Sequence, residues 1–107
     1  MGVRLLPVAI GIADRVPSKY SSLADQLRRA AIAIPLNIAE GSGKSTGPDQ
    51  RRFYAIARGS AMECAAIVDA CRALELVLPA QAQDADELLG PVVRMLSKMC
   101  RSQEVQV

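Results

Sequence analysis

The stretch from Asp49 to Leu78, DQRRFYAIARGSAMECAAIVDACRALELVL, has the clearest periodicity in the chain. Apolar or small residues recur there at alternating spacings of four and three for more than three heptads: Phe53, Ala57, Ser60, Cys64, Ile67, Cys71, Leu74 and Leu78. Such a seam is typical of a helix that packs at a shallow angle against neighbouring helices. The stretch therefore predicts one long helix, and Thr46 with Asp49 predicts its N-terminal cap.

Apolar stripes at helical spacing also mark segments on both sides of this helix. The segment at about 22–41 has its stripe at Leu23, Leu27, Ala31, Ile34 and Ile38. The segment at about 83–102 has its stripe at Ala85, Leu89, Val92, Leu96 and Met99. A shorter segment at about 3–16 is apolar nearly all round. Because the connections are short, these segments predict a single all-α domain over 1–107, an antiparallel up-down-up-down four-helix bundle.

Local signals refine the ends and bends of these helices. Ser22 with Asp25 predicts a capped start of the second helix. Pro35 predicts a kink inside that helix, because proline removes one backbone hydrogen bond. Gly90 and Pro91 predict that the last helix bends or restarts.

The composition argues against several classes of function. The chain has no His, which removes the commonest general base and metal ligand. Its three cysteines form no C-x-x-C pair, and Cys64 and Cys71 lie too far apart along one helix to form a disulfide. The apolar N-terminal run is too short for a membrane span and has no signal-peptide cleavage site. We therefore expect a cytoplasmic protein with reduced thiols, no metal, no cofactor and no enzymatic activity.

The motif GSGKST, from Gly41 to Thr46, looks like the end of a nucleotide-binding loop. A phosphate-binding loop needs another glycine five residues before Gly43, and a strand leading into it. Position 38 is Ile, in the apolar stripe of a predicted helix. The motif therefore predicts a turn between two helices rather than a nucleotide site.

More apolar surface is present than one bundle needs to fill its core. Residues outside the core stripes of the second and third helices include Ile32, Leu36, Ala55, Met62 and Ala66. Any single alanine is explained by its helix propensity, but the set as a whole favours a homo-oligomer with these residues at its interface. Gly59, in a helix interior, indicates a close backbone approach or a bend.

Charged residues separate along the length of the predicted bundle. One pole is expected to hold Arg4, Lys44, Arg51, Arg52, Lys98 and Arg101, and the other Asp69, Glu75, Asp84, Asp86 and Glu87. Arg51 and Arg52 open a helix, where the helix dipole disfavours cations. We therefore interpret Lys44, Arg51, Arg52, Lys98 and Arg101 as contacts for nucleic acid or an acidic partner, with a solvated charged surface as the alternative. Arg28 and Glu63 are expected to pair between helices.

Two long segments of the sequence resemble a known family. QLRRAAIAIPLNIAEGSGK (Gln26 to Lys44) and FYAIARGSAMECAAIVDACRAL (Phe53 to Leu74) are similar to the bacterial "four helix bundle protein" family, whose founding members are encoded in intervening sequences of 23S rRNA genes. The resemblance implies a compact bundle, often a ring of five subunits, with no established enzymatic activity. A related branch, the accessory protein of diversity-generating retroelements, binds nucleic acid and a reverse transcriptase.

The resemblance implies a structural role, in contacts between helices, for the residues that match the family's motifs: Arg28, Arg29, Asn37, Glu40, Gly41, Gly59, Ser60 and Glu63. The short first segment and the Gly90–Pro91 pair depart from the family pattern. The leading hypothesis is a homo-oligomer, a pentamer by resemblance, that acts as an RNA-associated scaffold or adaptor. The alternative is a protein–protein assembly module that binds no nucleic acid, and an enzyme is the third and weakest hypothesis.

Overall fold

Four α-helices run through the part of the chain that the structure, a computed structural model, describes: the backbone of residues 3–105 and the side chains of residues 3–101. They are α1 (Leu5–Arg15), α2 (Ser21–Ser42), α3 (Gly47–Ala73) and α4 (Pro79–Val105), with a 3₁₀ turn at Ser18–Tyr20 before α2. No residue in that range is in a strand, so the all-α four-helix bundle is confirmed. Over the same range, no helix combines the length and the hydropathy that crossing a membrane requires.

Contacts between side chains define the antiparallel arrangement. Arg58 of α3 contacts Ser97 of α4, whereas Arg72, further along α3, contacts Asp86, earlier in α4. The start of α3 lies on the end of α2, where Tyr54 packs on Gly41. Among the described residues, α2 packs most extensively on α3 and α3 on α4, with smaller contacts from α1 to α2 and α4. The up-down-up-down order follows.

The core consists of small and medium-sized side chains. Its largest fully buried members are Leu5, Ile12, Leu27, Ile34, Val68, Leu96, Cys64 and Cys71, and alanines from every helix fill the space between them. The stripes predicted for α2 and α4 are confirmed at their centres, at Leu27, Ile34 and Leu96. Alanine and cysteine let the helix axes approach, which explains how a chain with one Phe and no Trp fills its interior.

The predicted seam of α3 is confirmed in the middle and wrong at both ends. At its start Tyr54 is buried, whereas Phe53 is only half-buried. At its end the helix stops at Ala73, because Glu75 takes a left-handed conformation (φ 58°) and the Leu76 N–H bonds back to the Cys71 carbonyl. The predicted continuation to Leu78 therefore lies outside the helix, where that side chain is exposed.

Two predictions made from local signals, the Ser22 cap and a restart of the last helix, are wrong. The predicted Ser22 cap is wrong, because α2 follows directly from the 3₁₀ turn and its N-cap residue, Tyr20, makes no side-chain cap bond. A restart at Gly90 and Pro91 is also wrong, since α4 is one helix through both residues. The Thr46 cap is confirmed, with its hydroxyl accepting from the Asp49 N–H at 3.3 Å.

Helix α1 is much shorter than its partners, with 11 residues against 22 in α2 and 27 in α4. At about 1.5 Å per residue it covers roughly 16 Å of a bundle that is 48 Å long. Gly11 faces Gln81, and Arg4 lies beside Asp84 and Glu87, so α1 spans only the first part of α4. The expected place of Arg4 at the basic pole is therefore wrong, because Arg4 lines the same pocket as Asp84 and Glu87.

Helices α2 and α3 approach each other closely at Gly41. A Cβ atom added there would lie 2.7 Å from Cε1 and 2.9 Å from Cδ1 of Tyr54, whose hydroxyl is 3.2 Å from the Ser42 hydroxyl. Gly41, the first residue of the GSGKST motif, is thus a packing residue in the last turn of α2. This contact accounts for Gly41 without any nucleotide.

Replacing Gly41 by Ala is expected to destabilise the fold by roughly 1–3 kcal/mol, because the buried Tyr54 ring must shift. Gly43→Ala is the matched control, since the nearest atoms to its added Cβ lie at 3.6 and 3.7 Å and its φ is −84°. Urea unfolding of both variants measures the difference. Equal stabilities would show that the two helices do not meet tightly at Gly41.

Candidate functional site

The predicted basic residues separate into two groups. Lys44 and Arg52 both contact the Phe53 ring, with the Lys44 Nζ 5.1 Å and the Arg52 Cζ 4.8 Å from the ring centroid. Lys44 also pairs with Glu40 at 3.3 Å, so part of its charge is already balanced. Both cations are therefore held at the Phe53 ring by cation–π contacts.

The other group lies along α3 and α4, and it includes two arginines that the sequence analysis did not select. The Arg58 Nε donates a hydrogen bond to the Ser97 Oγ, joining the two helices. Arg94 lies over Gly90, where an added Cβ would be 3.3 Å from its Nη1. Arg51 and Arg58 are seven residues apart on α3, so they share one side of that helix.

Helical spacing also aligns the cations of α4, where Arg94, Lys98 and Arg101 follow at intervals of four and three. The contact from Arg58 to Ser97 places this side of α4 next to the arginine side of α3. We call the result the α3–α4 basic strip: Arg51, Arg58, Arg94, Lys98 and Arg101. Within residues 3–101, neither Arg58 nor Arg94 has a carboxylate partner.

Asp69 of α3 and Asp84, Asp86 and Glu87 of α4 lie towards the other end of the bundle, whereas Asp49 lies in the first turn of α3. Arg72 pairs with Asp69 at 2.6 Å and with Asp86 at 2.7 Å. This cluster is 14 residues from Arg58 along α3, about 21 Å at the helical rise. Arg58 is therefore remote from these carboxylates, whereas Arg94 lines the same groove between α3 and α4 as Asp69 and Asp86.

Of the residues predicted to act between helices, Gly41 packs on Tyr54 of α3 and Arg28 forms an ion pair with α1. Arg28 pairs with Asp14 of α1 at 2.9 Å and with Asp25 at 3.3 Å. The expected pair with Glu63 is wrong, because Arg28 faces α1 rather than α3. Glu63 instead lines a small cavity between α2 and α3 together with Arg29 and Ser60.

Three other residues that were predicted to act between helices either bond within their own segment of chain or are exposed. The Asn37 side chain donates to the Ala33 carbonyl of its own helix at 2.8 Å, and Glu40 pairs with Lys44 one turn away. Gly59 is exposed, and an added Cβ would meet nothing within 4 Å. The close approach expected at Gly59 is therefore wrong for the described residues.

The residues predicted for an oligomer interface are all exposed in the single chain: Ile32 at 45%, Leu36 at 63% and Met62 at 48%, with Ala55 and Ala66. Met62 and Ala66 line a shallow groove between α3 and α4. Ile56, exposed at 47%, belongs to the same class and was missed by the sequence analysis. Ile56 lies three residues from both Phe53 and Gly59, and this spacing is the feature of the sequence that could have identified it.

A family model matches most of the chain. Residues 8–98 match the family model described as 23S rRNA-intervening sequence protein. The matched range begins within α1 and ends within α4, so it includes the Gly90–Pro91 pair and all four helices. No curated protein matches the chain.

Proposed function

Because this chain belongs to the 23S rRNA-intervening sequence protein family, we propose that it is a non-enzymatic, homo-oligomeric scaffold that binds the phosphate backbone of RNA. The observation that carries the proposal is the α3–α4 basic strip. Its arginines carry planar, permanently charged donor groups suited to phosphate oxygens. Two of them, Arg58 and Arg94, have no carboxylate partner in the described part of the chain.

The aromatic residues favour recognition of the backbone over stacking with bases. Tyr54 is buried, Tyr20 is half-buried with Lys19 over its ring, and the Phe53 ring is contacted by Lys44 and Arg52. Single-stranded nucleic acid is commonly bound by open aromatic platforms, whereas double-stranded RNA is recognised by shape and phosphate contacts. We therefore propose a structured or duplex region of RNA as the ligand, without sequence-specific contacts.

Assembly strengthens the proposed interaction. The net charge of one chain is only +2, so a single copy attracts a polyanion weakly. Several copies present several α3–α4 basic strips to one RNA molecule, which raises the overall affinity without any new contact. The exposed Ile32, Leu36, Ile56 and Met62 provide apolar surface for such assembly.

The test is a binding titration with a labelled RNA duplex of roughly 20 base pairs and arbitrary sequence. Affinity is expected to fall steeply between about 50 and 200 mM salt, and the Arg58→Gln/Arg94→Gln variant should reduce the log–log salt slope by about 2. Arg15→Gln, at an exposed arginine of α1, is the matched control and should change the slope little. Absence of binding at the lowest salt would reject the RNA proposal and favour a protein–protein assembly module.

A further inference from the structure

An apolar groove runs between α3 and α4 and is open to solvent. Its apolar lining is Met62, Ala65, Ala66, Leu89, Gly90 and Val93. Three of these residues carry one side-chain carbon or none, so the side chains of another helix can enter the space between α3 and α4. Along α3 the groove extends from Asp69 to Met62, which is seven residues or about 10 Å at the helical rise.

A ridge of the same length stands on the outer side of α2. Ile32 and Leu36 are exposed at 45% and 63%, although both side chains are large and apolar. They lie two residues before and two residues after the fully buried Ile34, so they are on the side of the helix that faces away from the core. Arg29 lies on the same side, three residues before Ile32 and seven before Leu36. We call Arg29, Ile32 and Leu36 the α2 ridge.

The charges at one end of each surface are complementary. At the Asp69 end of the groove, Asp69 and Asp86 share the guanidinium group of Arg72, which contacts Oδ1 of Asp69 and Oδ2 of Asp86. Because two carboxylates face one cation, an excess of negative charge remains there. Arg29, at the beginning of the α2 ridge, has no carboxylate partner within residues 3–101. An unpaired arginine thus matches a pair of carboxylates that is not fully neutralised.

From this match in length, shape and charge we infer that the α2 ridge of one copy binds in the α3–α4 groove of a second copy of the chain. Ile32 and Leu36 enter the apolar part of the groove, and Arg29 approaches the carboxylates at its Asp69 end. The apolar contact supplies the driving force, because exposed ion pairs contribute little energy. The charges fix the register of the two helices.

The contact leaves both copies pointing in the same direction. Within one copy, Gly41 packs on Tyr54 and Ala33 lines a cavity with Ser60, so α2 runs antiparallel to α3. The inferred register also makes α2 antiparallel to α3 of the second copy. Further copies can therefore be added by repeating the same rotation, as the symmetry of a ring requires.

The contact is head-to-tail, because the two surfaces that meet are different. Helix α3 packs on both α2 and α4 and separates the α2 ridge from the groove, so one copy binds two different neighbours. Repetition gives an assembly of more than two copies, and closure into a ring leaves no unmatched surface. This inference rests on the proposed homo-oligomer and agrees with the ring of five that the family resemblance implies. Arg58 and Lys98 of the α3–α4 basic strip do not line the groove and stay available to RNA.

Two variants, each defective in one surface, test the contact. Leu36→Arg disrupts the α2 ridge, and Ala66→Arg fills the groove and repels Arg29; both positions are exposed, so each variant should fold. Sedimentation of the full chain from about 1 to 100 µM should show an assembly of more than two copies for the wild type, and association at least about tenfold weaker for each variant. An equal mixture of the two variants should form a dimer and nothing larger, because only one intact ridge and one intact groove can meet.

Arg29→Glu tests the charge match and should weaken association by roughly three- to tenfold, whereas Arg15→Glu, the same change at an exposed arginine of α1, should leave it unaltered. The inference would be overturned by a wild type that is monomeric at the highest concentration or stops at a dimer, by a mixture of the two variants that stays monomeric, or by an Arg29→Glu variant that assembles like the wild type. A wild type that assembles but binds no RNA duplex would reject the RNA proposal and leave this contact intact.

Discussion

Leu27→Ala is expected to lower the free energy of unfolding by about 2–5 kcal/mol, a large part of the stability of a domain of this size. Leu27 is 0% exposed in α2 and belongs to the hydrophobic cluster of the described residues, which has members from all four helices. Deleting three carbons there leaves a cavity that helices on all sides prevent from collapsing.

The measurement is thermal and urea unfolding of the variant at a concentration where the protein is monomeric. The expected loss corresponds to a decrease of roughly 10–30 °C in Tm. Leu36→Ala is the matched control, because it makes the same chemical change nine residues later in the same helix, at a side chain that is 63% exposed. That variant should unfold within about 0.5 kcal/mol of the wild type.

A comparable loss from both substitutions would mean that Leu36 is buried in the form being unfolded. Association contributes to apparent stability, so the concentration dependence of Tm separates a contact between copies from a core contact. Only a contact between copies disappears on dilution. A small loss from Leu27→Ala at every concentration would contradict the core described above.

The centres of the helices were predictable because their information is local. An apolar residue every three or four positions identifies the buried side of a helix without knowledge of its neighbours. Leu27, Ile34, Cys64 and Leu96 were all placed correctly in this way. The Thr46 cap was predictable for the same reason, since its acceptor and the Asp49 N–H are three residues apart.

The ends of helices and the ion pairs depend on contacts between distant residues. Glu75 ends α3 in a left-handed conformation that residues other than glycine rarely adopt, and the sequence around it gives no turn signal. Arg28 could reach either edge of its helix, and Asp14 is its partner because α1, not α3, lies on that side. Such choices follow from which helices are neighbours.

The candidate site could be predicted only in part, because the spacing of its residues along each helix is local but the contact between the two helices is not. The spacing of Arg94, Lys98 and Arg101 could be read from the sequence, and so could that of Arg51 and Arg58. That both sets meet along one groove depends on the Arg58–Ser97 contact across 39 residues. The position of Arg4 beside Asp84 likewise depends on the height of α1 in the bundle, which periodicity does not specify.

The second large effect is expected in the chemistry of Cys64. Burial, with a smaller contribution from the Glu63 carboxylate, raises the pKa of the Cys64 thiol from 9.0 to about 12. Thiolate is the reactive form, so at neutral pH the folded protein holds about a thousandfold less of it than an exposed cysteine would. Burial also raises the pKa of Cys71, and both side chains are almost completely covered.

Labelling with a thiol reagent at mildly alkaline pH, followed by peptide mapping, should therefore modify Cys100 first, since that residue is only half-buried. Cys64 and Cys71 should react only when the bundle opens, and all three should react at similar rates in concentrated urea. A Cys100→Ser variant isolates the two buried thiols and is the control for secondary effects of the first modification. Labelling of Cys64 in the native protein as fast as Cys100 would contradict the burial.

The same shift has a consequence for stability at high pH. A pKa that is higher in the folded than in the unfolded chain means that folding favours the protonated thiol. The folded state therefore keeps this contribution below pH 9 and loses it progressively between pH 9 and about 12. Cys64→Ala removes the titrating group, so its unfolding free energy should depend less on pH over that interval than that of the wild type. Parallel pH profiles for the two proteins would show that Cys64 does not ionise with the raised pKa, because every other titrating group is common to both.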